Sequence, residues 1–99
     1  MAVKVERSSG NVFRDLGFAP EDAENLRLRS ELMVQLSRVI KDRELPQSRA
    51  AKLFGVSQPR VSDLVRGKIH HFSVDTLIAM LGHAGVRVSL VVRRSRKVA

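Results

Sequence analysis

The 99-residue chain has no cysteine, no tryptophan and no tyrosine, and only four phenylalanines and three prolines. Without cysteine there is no disulfide, no thiolate nucleophile and no cysteine-held zinc or iron–sulfur centre. A reducing cytoplasm fits that composition. With so few aromatics, the 43% of apolar residues must build an aliphatic core, and a largely helical one is expected. Nowhere do eighteen apolar residues run together, and the opening MAVKVERSSG has no apolar signal-like stretch, so neither membrane spanning nor secretion is expected. No H-E-x-x-H motif, phosphate-cradling glycine loop or Ser/His/Asp set stands out. Neighbouring His70 and His71 cannot both turn their rings to one metal from a regular helix or strand, and with His83 they read as exposed loop and helix-end residues. The chain is therefore expected to be no enzyme and to carry no metal or cofactor.

What the chain does have is positive charge, unevenly placed. Its formal net charge is +8. Residues 1–30 hold five basic and five acidic side chains, whereas residues 31–99 hold thirteen basic and five acidic. The whole excess lies in the second part, where it favours a polyanionic partner, because neutralised phosphates release condensed counterions. Charge alone fits RNA, an acidic membrane surface or merely a soluble protein equally well.

Residues 47–66, QSRAAKLFGVSQPRVSDLVR, narrow the choice. Two short helical patterns flank a glycine turn, the layout of a DNA-binding helix-turn-helix. Ala51 is small where the two helices would cross, and Gly55 sits where the chain reverses. Ala50, Leu53, Phe54, Val56, Val61 and Leu64 supply the apolar contacts. Ser57 is a good N-cap, and Pro59 is tolerated in the first turn, where its missing amide has no intrahelical acceptor. The second helix should begin at Ser57 or Gln58. Ser57, Gln58, Arg60, Ser62 and Asp63 would form its outer, polar face.

Gln47 opening the first helix, Ser57-Gln58 opening the second and Gly67-Lys68 following it resemble the phage-repressor (Xre-like) family. That resemblance implies a lambda-repressor-like domain and a bracing of Gln58 by Gln47, which also touches a phosphate. Across nearly the whole chain, GNVFRDLGF, SQPRVSDLVRGK and VRVSLVV resemble the small Xre-type antitoxins of the HigA-like group. This implies a cognate toxin, a ribosome-dependent messenger-RNA interferase, and repression of a shared operon. The alternatives are a solitary phage-type regulator, or a toxin-neutralising module whose DNA binding is secondary.

Elsewhere, Pro20 with Glu21, Asp22 and Glu24 starts a helix. Its apolar residues, from Leu26 to Ile40, recur at three- and four-residue steps and carry it to Arg43, with room for a bend in the polar stretch 27–31. Ser73 and Asp75 start another, with Phe72 stapled on Leu77, burying Leu77, Ile78 and Leu81. Val86, Val88, Leu90 and Val92 alternate with Arg87, Ser89, Val91 and Arg93, the period of a half-buried strand. The fold class expected is all-α with one C-terminal strand. A lone strand needs a partner, and the economical one is the same strand of a second copy, antiparallel about a two-fold axis. The competing arrangement is a hairpin with residues 3–6.

The chain thus divides into an N-terminal arm (1–19), a helix-turn-helix domain (20–85), a dimerisation strand (86–93) and a basic tail (94–99). In the arm, Ser8-Ser9-Gly10 reads as flexible, and Val12, Phe13, Leu16 and Phe18 form an apolar cluster for the domain core or for a partner such as a toxin. As a homodimer the protein would read an inverted-repeat operator in double-stranded DNA, staying off membranes and associating with the nucleoid when bound. Base contacts are expected from Ser57, Gln58 (adenine), Pro59 (a thymine methyl), Arg60 (guanine, or a phosphate), Ser62 and Asp63 (the cytosine amino group). Phosphate contacts are expected from Gln47, Ser48 and Arg49 at a helix N-terminus, flanked by Arg43, Arg66 and Lys68.

Overall fold

Pro20, Ser57 and Ser73 set the starts of three helices. In the computed structural model, which describes residues 2–4 and 12–94, α2 runs Pro20–Asp42 with proline in its first turn. It is followed by α3, Gln47–Phe54, and α4, Gln58–Val65, with Ser57 as N-cap. Then α5 runs Val74–His83, with Ser73 Oγ accepting from the Thr76 amide. A one-turn helix α1, Val12–Asp15, precedes them, and a 3₁₀ turn, Ile69–His71, separates α4 from α5. The stretch 27–31 is uninterrupted helix. There Arg27 binds Glu24 and, at 2.9 Å, Glu31, pairs at helical spacing that support the helix.

One core joins these elements. Leu32, Met33 and Leu36 from α2 meet Ala50, Ala51 and Phe54 from α3, Val61 and Leu64 from α4, and Phe72, Leu77, Met80 and Leu81 around α5. Phe54, Leu36, Val61, Leu77 and Leu81 are fully buried. At about 25 cal/mol per Å² of apolar surface removed from water, this aliphatic cluster supplies most of the domain's stability. Phe72 and Leu77 share the core as expected of a staple. Ile78, expected inside, is 42% exposed and Met80 takes its place, because α5 packs α2 and α3 on the arc that carries Leu77, Met80 and Leu81.

The turn of the helix-turn-helix closes as its glycine requires. Gly55 has φ +70°, and the Val56 amide donates back to the Ala51 carbonyl at 3.0 Å, the six-to-one bond of a helix ended by a left-handed residue. The same bond ends α2 (Leu45 to Ile40), α4 (Lys68 to Asp63) and α5 (Val86 to Leu81). At α2 the left-handed residue is Glu44, φ +51°.

The C-terminal strand is shorter than its alternation and differently partnered. As β2, Arg87–Ser89, it pairs in parallel with β1, Ala2–Lys4, with Val3 opposite Val88. The chain is thus mostly helical with the expected C-terminal strand, plus a second strand near its start. Pairing across a dimer is not needed to satisfy that edge, and the intrachain arrangement is parallel rather than a hairpin. A parallel pair suits this topology because the whole helical domain forms the crossover between its strands. Val86 and Val88, expected in a dimer interface, are half-buried against the core of their own chain. Leu90 and Val92 lie beyond the strand and are 85% and 82% exposed.

In the arm, α1 lies against α2 yet buries no residue. Phe13 and Phe18 meet edge to face at 6.2 Å. Val12, Leu16 and Phe18 remain exposed and Phe13 is half-buried. Ser8-Ser9-Gly10 and residues 95–99 of the basic tail lie outside the described residues.

Candidate nucleic-acid interface

The orientation of α4 decides which side chains can reach a partner. Val61 and Leu64 point into the core. At about 100° per residue, the arc opposite them is centred on Pro59 and Arg66, with Ser62 and Asp63 equally placed on its two sides. Gln58 and Arg60 fall on the two flanks, both exposed. Gln58, Pro59 and Arg66 are exposed, and Ser62 and Asp63 half-buried. Ser57 Oγ accepts from the Arg60 amide at 3.4 Å, so its hydroxyl begins the helix as well as standing at its outer end.

Two of the expected base-reading side chains are engaged elsewhere. The Arg60 guanidinium donates to the His71 carbonyl at 2.7 Å and lies 5.5 Å over the Phe72 ring, an arrangement that combines a charge-assisted hydrogen bond with a cation–π contact. Asp63 Oδ2 is 3.0 Å from His71 Nδ1, and its Oδ1 is 3.9 Å from Lys68 Nζ. The hydrogen bond from His71, aided by the charges of His71, Lys68 and Arg60, holds the Asp63 carboxyl below the usual carboxylate range. In the free protein these two side chains clamp α4 to the 3₁₀ turn. The helix's unengaged outward groups are Gln58, Pro59, Ser62 and Arg66.

The expected phosphate-contacting residues gather in part. Pro46 caps α3 with no side chain on the amides of its first turn, so Gln47, Ser48 and Arg49 open a helix whose N–H groups are available to an anion. Ser48 and Arg49 are exposed and Gln47 half-buried; no hydrogen bond joins Gln47 to Gln58 among the described residues. Arg66 and Lys68 are exposed at the far end of α4. Arg43 is also exposed but donates to the Ala84 carbonyl at 3.2 Å, tying the end of α2 to the end of α5.

Three residues that build the site have no local signal in the sequence. Arg29, on α2, donates through one nitrogen to the carbonyls of Ile69 and Phe72, both at 3.2 Å, and so anchors the 3₁₀ turn. His71 binds Asp63 from that turn. His83 lies beside the helix-turn-helix glycine, where a Cβ on Gly55 would meet its ring at 3.2 Å. Each works through a contact between residues 8 to 43 positions apart, beyond the reach of any helical or strand period.

Helix α2 is long but carries charge throughout, and among the described residues no helix is long and apolar enough to cross a membrane. The helix-turn-helix domain family matches residues 12–93. A solved structure provisionally described as an XRE family transcriptional regulator superposes with a TM-score of 0.70 at 34% identity, covering 77% of this chain and 85% of that one. No curated protein matches the chain. The exposed α4, the open N-terminus of α3 and these similarities lead to one conclusion: the chain belongs to the XRE family of helix-turn-helix proteins and is a DNA-binding transcriptional regulator.

Proposed function

We propose that the protein is a repressor that sets α4 into the major groove of an inverted-repeat operator as a homodimer, and that it is the antitoxin of a toxin–antitoxin pair controlling its own operon. The observation that carries the DNA reading is the pair of exposed Gln58 and Pro59 on α4, with half-buried Ser62, together with the uncapped start of α3. Gln58 reads adenine through its amide, Pro59 touches a thymine methyl and Ser62 reads a neighbouring edge. Ser57 stands at the entrance, while Gln47, Ser48, Arg49, Arg66 and Lys68 hold phosphates and fix the register. The protein works where the DNA is, in the cytoplasm and on the nucleoid.

The dimer is supported by the second edge of β2 and by the exposed Leu90 and Val92 that follow it. A two-fold copy laid on that edge gives four strands and two reading helices, with half-sites about 34 to 36 Å apart. The division into arm, domain, dimerisation strand and tail follows this use. The toxin reading rests on the exposed Val12, Leu16 and Phe18, apolar groups that a partner protein can cover, and on the resemblance to HigA-like antitoxins.

The test is binding to the chain's own promoter fragment over a salt series. Affinity should fall steeply with salt as phosphate contacts release counterions. Gln58→Ala should lose about 1–3 kcal/mol of preference for the operator over random duplex. A Gln58→Ala variant with unchanged preference, or an affinity indifferent to salt, overturns the groove assignment. Co-purification with the product of a neighbouring reading frame, lost in Leu16→Asp, tests the toxin.

A further inference from the structure

We propose that His71 sets the base specificity of the recognition helix by holding Asp63 off the bases. The inference rests on α4 being the helix that enters the groove. Asp63 stands on the outward arc, as near its centre as Ser62 and one helical turn past Pro59, where a free carboxylate would accept from a cytosine amino group. Its Oδ2 is instead held by His71 Nδ1 at 3.0 Å, and Lys68 lies at 3.9 Å from the other oxygen.

The holder is itself held, which separates this contact from a chance surface pair. His71 belongs to the 3₁₀ turn Ile69–His71. Its carbonyl receives Arg60 at 2.7 Å, and the same guanidinium lies on the buried Phe72 ring. On the other side Arg29 of α2 grips the carbonyls of Ile69 and Phe72. The imidazole is thereby presented to Asp63 from a turn bound to two helices. An exposed ion pair on mobile side chains contributes little; here one partner's backbone is clamped, so the geometry of the pair is inherited from the fold.

Two consequences follow for recognition. The carboxylate's charge is directed to His71 and Lys68 rather than toward phosphates, which removes a repulsion. And cytosine is not selected where Asp63 passes, so Gln58, Pro59 and Ser62 carry the readout. His71 is a positioning residue: it acts on the bases through Asp63.

The experiment is a base-preference profile, measured by selection from duplexes randomised around the promoter site. Asp63→Asn alone should leave the profile as in the wild type. His71→Phe should free the carboxylate and add a preference of about five- to tenfold for cytosine at one base pair, within the range of a single base contact. The double variant His71→Phe/Asp63→Asn should lose that gain. His71→Asn, which keeps a donor near the place of Nδ1, should keep the wild-type profile. The inference is overturned if His71→Phe matches the wild type, or if Asp63→Asn alone alters a cytosine preference already present. Should His71→Phe not fold, His71→Leu replaces it, and nuclear magnetic resonance of the wild-type complex gives an independent reading: the Asp63–His71 pair must persist on DNA. Gln58→Ala serves as the control for the groove assignment. If it loses operator preference while the His71 variants do nothing, only the role of His71 fails; if it too changes nothing, α4 is not the reading helix.

Discussion

Gly55 shows how two constraints meet at one residue. Its φ of +70° is a conformation that costs other residues roughly 1–2 kcal/mol, and a Cβ added there would meet the His83 ring at 3.2 Å. The first constraint is legible from sequence, since a glycine between two helical patterns marks the reversal. The second is not, because His83 lies 28 positions on. Gly55→Ala should destabilise the domain by about 2 kcal/mol in urea denaturation, the sum of left-handed strain and a tight contact. Adding His83→Ala should recover the contact and leave the strain. If the second substitution recovers nothing, His83 does not crowd the turn. Arg60 carries a similar lesson: its type and position in α4 fit base reading, but its place on the flank and the carbonyl of His71 engage it within the protein.

At the scale of elements, starts and stops were the most readable features. Pro20, Ser57 and Ser73 act where their chemistry requires, because capping is local and involves residues within one turn. The end of α2 is the exception. Its left-handed position is Glu44 at φ +51°, where Gly55 serves α3. Replacing Glu44 with glycine should raise stability by about 0.5–1 kcal/mol, the relief of strain less the extra freedom of the unfolded chain. A thermal melt with unchanged or lower midpoint would contradict this. The 3₁₀ turn and the length of β2 were not readable for the opposite reason. The turn depends on Arg29, 40 residues earlier, and the alternation that continues to Val92 extends past the point where a pairing strand exists. Period reports which face a residue would take, whereas a strand's ends are set by its partner.

For the whole molecule, the proposed two-fold assembly depends on Leu90 and Val92. Both are more than four-fifths exposed and neither contributes to the core cluster, so changing them should leave the domain folded. On the proposed dimer, a Leu90→Asp/Val92→Asp variant should sediment as a monomer with its helical circular dichroism intact, and should bind an inverted repeat far more weakly than the wild type. A variant that remains dimeric would place the two-fold interface elsewhere.

The sequence by itself determined the helix-turn-helix, its polar outer arc and the concentration of positive charge around it. These depend on neighbours within a turn of helix and on composition, and both are present in the linear order of residues. Only the tertiary structure decided which of those polar groups are unengaged. Arg29, Arg60, His71 and Phe72 come from three parts of the chain and converge on one side of α4, and that convergence engages Arg60 and Asp63 within the free protein, where Gln58, Pro59 and Ser62 have no such partner among the described residues. It also gave β2 a partner within its own chain, since the path of the helical domain returns the C-terminal segment to the first residues, a proximity that no period in the sequence encodes.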